Sequence, residues 1–344
     1  MILLLGASGY FGQAFAIELR RRGHPFIPLT RAAFDYTQFD LLFDYVRKTR
    51  PEFLINAAAF SGRPNVDACE ESRAEVFQVN TLLPQTVARV CLMTNTPWAH
   101  ISSGCIYSGA KVFEKGKFRT VRNLNSHEFQ RRVETQPGTV RGFDELDEPN
   151  FSFQDDESNV CSGTIVLAER AIRESPATYI WRPRIPFNER DEPCNLITKI
   201  LQYARIYENT HSLSHLEESV RACLDLWELD APYGIYNVTN PGFITTRQIV
   251  EMIQRILKPS RHFRFWTDDT EFYRLGARVP RSNCILDVSK LIATGVRMRP
   301  IEQAIEHALR HWKSAAVPLE ETERASNVIP LHTPNEECDV LSTG

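Results

Sequence analysis

The residues best suited to chemistry come first in this chain. Gly6-Ala7-Ser8-Gly9-Tyr10-Phe11-Gly12 follows the apolar run Met1–Leu5, and Ala14, Phe15, Ile17 and Leu19 continue at helical spacing to Arg20-Arg21-Arg22-Gly23. A strand, a glycine turn and a helix in that order form a phosphate cradle. The glycines let backbone approach a pyrophosphate, and the helix N-terminus attracts its charge. Gly6, Ser8, Gly9, Tyr10, Phe11 and Gly12 are therefore expected to hold a dinucleotide, NADP or NAD. After the next apolar run, Pro25–Thr30, stands Arg31. An acid there would bind ribose hydroxyls, whereas an arginine pairs with a 2′-phosphate and leans towards NADP.

These residues need a scaffold. Further strands are expected at Phe53–Ala57, Trp98–Ser103 and Tyr179–Trp181, with Gly234–Val238 as a late strand returning to the sheet; helical spacing runs from Ala74 to Met93. Strands alternating with helices imply an α/β fold, a Rossmann-type doubly wound parallel sheet. We expect a dinucleotide-binding domain over 1–183 with a return strand in 233–240. A smaller substrate lobe should cover most of 184–316, and a polar tail 317–344. Residues 111–141 carry eight basic and three acidic residues with little apolar periodicity, which reads as an inserted loop.

Composition narrows the class. A chain of 344 residues can hold a nucleotide domain and a smaller lobe, and its net charge of -3 does not suggest a nucleic-acid partner. The eight cysteines show no C-x-x-C pattern, so no metal site is expected. Met1–Leu5 is too short for a signal or membrane segment, so a cytoplasmic protein with reduced thiols is expected, with no membrane partner. Cys105 follows Ser102-Ser103-Gly104 at the end of the Trp98 strand, and Tyr107 and Lys111 are spaced as Tyr-x-x-x-Lys.

Six blocks then carry a resemblance. They are Ser61–Asp67, Gly104–Tyr107, Asp147–Phe151, Asn195–Ile200, Tyr236–Gly242 and Pro280–Asn283. With the Gly6 turn they resemble the extended short-chain dehydrogenase/reductases. More closely, they are similar to the nucleotide-sugar 3,5-epimerase/4-reductases of plant-type UDP-rhamnose synthesis; the related dTDP-4-dehydrorhamnose reductases share the fold but fewer of these blocks. The resemblance runs to about Trp312. It places Asp35 and Tyr36 in the adenine-side loop, and Ala57 and Ala58 beside the cofactor. Arg63, Asn65, Arg281 and Asn283 fall at the substrate end, and Ser102 and Ser103 near the keto oxygen.

The same resemblance divides the catalytic residues. The epimerase places are filled by Cys105 and Lys199. The reductase places, a Tyr-x-x-x-Lys pair on a helix, hold Cys161 and Ile165. Ile165 can neither donate a hydrogen bond nor bear charge. Tyr107 and Lys111 lie too early in the chain to be that pair. The leading expectation is therefore a non-reducing epimerase of a nucleoside-diphosphate 4-keto-sugar, with Cys105 and Lys199 exchanging protons and Ser103 stabilising the enolate. An atypical NADP-dependent 4-ketoreductase using Tyr107, Cys161 or water as acid is the alternative, followed by a non-catalytic nucleotide-binding protein of the same fold. A homodimer is compatible with all three.

Overall fold

Strand β1 (Ile2–Leu5) is buried along its whole length, as an apolar strand covered on both faces requires. Helix α1 (Tyr10–Arg22) follows and stops at Gly23 in the left-handed conformation, with three arginines in its last turn. The chain continues through β2 (Phe26–Leu29), α2 (Phe39–Thr49), β3 (Phe53–Asn56), α3 (Ala68–Glu71), α4 (Arg73–Phe77), α5 (Leu83–Thr94) and β4 (Trp98–Ile101). The computed structural model describes residues 1–62, 65–155 and 157–315; Arg63 and the expected 317–344 tail lie outside the described residues.

The single helix expected over 74–93 is interrupted. Gln78–Leu82 forms a π turn between α4 and α5. Pro84 in the first turn of α5 has no N–H to continue a regular ladder, and Asn80 within the turn clamps Phe60 through both its backbone N–H and carbonyl at 2.8 Å.

Residues 110–141 are not a loop. β5 (Ala110–Glu114) and β6 (Lys117–Val121) form an antiparallel hairpin turning at Lys115-Gly116, both with positive φ. Helix α6 (His127–Thr135) follows, and β7 (Val140–Arg141) pairs with β5. Val112 and Phe129 fill a small core beneath this insert.

The remaining elements are α7 (Val160–Ile172), β8 (Thr178–Arg182), β9 (Pro186–Phe187), α8 (Leu196–Gln202), β10 (Thr210–His211), β11 (Ser214–His215), α9 (Leu216–Glu228), β12 (Gly234–Asn237), β13 (Ile244–Thr245), α10 (Thr246–Ile256), α11 (Asp269–Leu275), α12 (Ser289–Ala293) and α13 (Ile301–Arg310). The main sheet has six parallel strands in the order β12-β8-β4-β3-β1-β2. Apolar cores lie on its two faces, one around Phe15, Phe53 and Trp181, the other around Leu42, Val87 and Trp98. A separate core of Phe187, Ile197, Ile249 and Ile305 supports the later helices.

Strand order reverses between β1 and β3, so the crevice of a doubly wound sheet opens at their carboxyl ends. Among the described residues no helix is long and apolar enough to cross a membrane.

Candidate functional site

The glycine turn is a cradle without side chains. Gly6 has φ 73°, and a Cβ there would lie 2.5 Å from the Ala58 nitrogen; on Gly12 it would lie 2.0 Å from the Gly6 oxygen. No side chain caps α1 at Gly9, and no acid occupies its first turn, so its N–H groups are open to an anion. Ser8 is exposed, and its carbonyl accepts from Gln13. Tyr10 and Phe11 are half-buried and pack on the core, with the Tyr10 hydroxyl unpartnered. Ala57 and Ala58 form the facing wall, and both are buried.

Arg31 reaches out from the end of β2 to Glu75 at 2.8 Å, half exposed. Asp35 accepts from the Thr37 N–H and hydroxyl, which shapes the following turn, and Tyr36 is buried against the β2 side of the sheet.

The end of β4 lies two strands from β1. Ser103 caps a short 3-10 turn, Gly104–Ile106, by accepting the Cys105 N–H at 3.1 Å. That bond uses an acceptor lone pair of Ser103 and leaves its O–H proton to donate elsewhere. Ser103 and Cys105 are both partly open to solvent. Ser102 points inward instead, and its hydroxyl donates to Glu169 in a buried network. It therefore does not reach a keto oxygen as expected.

Glu169 is the residue that sequence reasoning missed. It lies one turn beyond Ile165 on α7 and binds the Arg182 guanidinium at 2.5 Å, with both side chains buried. Arg182 also donates to the Tyr107 hydroxyl at 3.0 Å. A carboxylate and an arginine on otherwise apolar elements were the available signal. Arg184, two residues later, is 1% exposed and bonds neutral partners, His211 and the carbonyls of Ser212 and Ser282.

Helix α7 packs its N-terminus on the β4 turn. Asn159 caps it by accepting the Ser162 N–H, and the Ser162 hydroxyl donates to the Cys105 carbonyl at 2.9 Å. Cys161 is buried, with its thiol 3.9 Å from the Phe60 oxygen, and Ile165 sits in the adjacent apolar cluster. The neighbouring Cys69 and burial raise the pKa of Cys161.

Tyr107 is fully buried, stacked 4.7 Å from Phe143, and donates to the Asp147 carbonyl at 2.7 Å. Lys111 is ion-paired with Asp144 and Asp147. This pair fixes the root of the insert.

The other expected positions lie outside the glycine turn and the β4 turn. Lys199 is half-buried on α8. Asn65 turns its own loop by accepting the Asp67 N–H at 2.9 Å. Arg281 forms a two-pronged ion pair with Asp67, each bond 2.7 Å, so its fork is already filled by a carboxylate. Asn283 accepts from Ser108 at 3.0 Å and donates to the Arg122 carbonyl. Arg63 lies outside the described residues.

Residues 1–147 match the profile of the RmlD substrate binding domain. The chain is 27% identical over 304 residues to a trifunctional UDP-glucose 4,6-dehydratase/UDP-4-keto-6-deoxy-D-glucose 3,5-epimerase/UDP-4-keto-L-rhamnose-reductase of Arabidopsis thaliana. The match takes in 88% of this chain but only 41% of that protein. The crystal structure of a UDP-rhamnose synthase from Acanthamoeba polyphaga mimivirus aligns at TM-score 0.75 and 21% identity, covering 90% of this chain and 98% of that one. A dTDP-4-dehydrorhamnose reductase from Bacillus anthracis, solved in complex with NADP, aligns at TM-score 0.69 and 18% identity, covering 90% and 97%.

The chain is thus similar to these proteins and has a Rossmann-type fold. This corrects the leading expectation from sequence. The matching domain profile and the reductase named in the curated relative favour the reading first held as the alternative, and the non-reducing epimerase is set aside.

Proposed function

We propose that this chain is an atypical NAD(P)-dependent reductase of the 4-keto group of a nucleoside-diphosphate sugar. One observation carries the reading: the bare glycine cradle and the Ser103–Cys105 turn lie on the same carboxyl edge of the sheet, with β3 between their strands. The first would hold a cofactor and the second a sugar along one edge of the sheet. In this reading residues 1–183 with 233–240 hold the dinucleotide and 184–316 supply most of the substrate lobe.

The residues present fit the cofactor. Gly6 and Gly12 leave room that a Cβ would fill, α1 presents free N–H groups, and Arg31 can exchange Glu75 for a 2′-phosphate. Reduced nicotinamide supplies a hydride when bound. The protein must then stabilise an oxyanion and deliver a proton. Ser103 offers an O–H whose acceptor side is already occupied. Cys161 and Ile165 fill the helix places that a tyrosine and a lysine occupy in the resembled reductases. The helix therefore offers a weak acid and no activating cation, and turnover is expected to be slow.

Asn65 and Asn283 flank the substrate end. Arg281 orders it through Asp67 rather than by binding a phosphate directly.

The test is hydride transfer. The chain is incubated with UDP- or dTDP-4-keto-6-deoxy sugars and 4-deuterated NADPH, and the product is read by mass spectrometry and NMR. Deuterium at sugar C4 is expected, and its complete absence with both nucleotides refutes the proposal.

A further inference from the structure

We propose that Cys69 and Cys161 form a dithiol that small peroxides close to a disulfide beside the candidate site. The inference does not depend on the reductase reading. Cys69 lies on α3, fully buried, and Cys161 lies in the first turn of α7. They share one apolar cluster with Val76 and Val160, edged by Phe60 and Ile165.

Their chain neighbours are joined as well. Glu70 accepts the Val160 N–H at 2.9 Å, which holds α3 against the start of α7 at the level of the two cysteines. The two side chains interact within that cluster, where the Cys161 thiol also faces the Phe60 carbonyl at 3.9 Å. Their interaction lowers the pKa of Cys69 and raises that of Cys161, so Cys69 is the attacking sulfur.

The chemistry balances with hydrogen peroxide as oxidant. The Cys69 thiolate breaks the O–O bond and takes one oxygen as S–OH, and the other oxygen leaves as water with a proton from Cys161. The Cys161 sulfur then attacks Cys69, the S–O bond breaks, and the hydroxyl leaves as water once protonated by solvent. Two thiols and one peroxide become one disulfide and two waters. Peroxide is close to water in size and suits a buried pair that bulkier disulfides reach slowly. The bridge would fasten α3 to the start of α7, the helix whose Ser162 holds the Cys105 carbonyl.

The full chain is treated with hydrogen peroxide, quenched with catalase, denatured, blocked with N-ethylmaleimide and mapped by peptide mass. A Cys69–Cys161 peptide pair lighter by two hydrogens is expected, lost on treatment with dithiothreitol and still formed in Cys105→Ser. Cys69→Ser and Cys161→Ser should each abolish it. Maleimide on both cysteines after oxidation, sulfinic acid without a bridge, or a bridge from Cys161 to Cys105 overturns the proposal. The wild-type map decides the question even where a variant folds poorly. A parallel reductase assay reports separately on the proposed function.

Discussion

His100 gives a stability signal that can be worked out in advance. It sits on β4, buried, with its Nδ1 3.3 Å from the Asn56 side-chain nitrogen. Burial pushes its pKa from 6.5 down to about 4, against the opposing pull of Glu169. A base so depressed stays neutral in the fold where the unfolded chain already takes up a proton. Its contribution is complete above the unfolded value and is lost as the pH falls through about 6.5 towards about 4. The full shift is worth about 3 kcal/mol, of which about 2 kcal/mol falls between about pH 7 and pH 5. The perturbation is His100→Asn, which removes the titrating ring. Urea unfolding of both proteins at the two pH values, followed by tryptophan fluorescence, gives the difference. Wild type should lose about 2 kcal/mol more than the variant over that interval. His211, shifted in the same direction by burial and by Arg184, is present in both and cancels. Equal losses in the two proteins would show that His100 does not stay neutral inside β4.

Three further outcomes follow from the site. Glu169→Gln strips Arg182 of its buried counter-charge and should cost about 3–5 kcal/mol in urea unfolding; a loss under about 1 kcal/mol would mean the pair is dispensable. Gly12→Ala places a Cβ against the Gly6 carbonyl, so calorimetric titration should show NADPH binding weakened at least about tenfold with the fold retained by circular dichroism; unchanged affinity would remove the cradle from the cofactor site. Arg31→Ala should lower the preference for NADPH over NADH by about tenfold in the same titration, and a constant ratio would assign Arg31 to its Glu75 pair alone.

The sheet could be read from sequence where strands were apolar and punctuated. β1, β3, β4, β8 and the returning β12 lie within a residue or two of their expected limits, because strands buried on both faces write unbroken apolar runs. The 110–121 hairpin escaped notice because only one of its faces is covered. Val112 is buried while Phe113 and Phe118 are exposed, so charge obscured the alternation. The glycine turn was legible because its chemistry is in the backbone. Ser102 was not, because the two serines differ only in which way the chain turns, and that is set by Glu169, 67 residues away. The ion pair of Arg281 with Asp67 spans 214 residues and leaves no local pattern.

The position of β12 has a consequence for biosynthesis. The sheet is six-stranded only when Gly234–Asn237 lies beside β8, and the chain between β8 and β12 contains β9–β11, α8 and α9. A nascent chain that has emerged only as far as Arg182 therefore displays β8 with one row of peptide groups unmatched, in a strand whose five residues are all buried in the finished protein. Such an edge invites pairing with a neighbouring ribosome's product. A fragment ending at 183 is accordingly expected to aggregate, and chaperone demand during translation should peak between the emergence of Arg182 and that of Asn237.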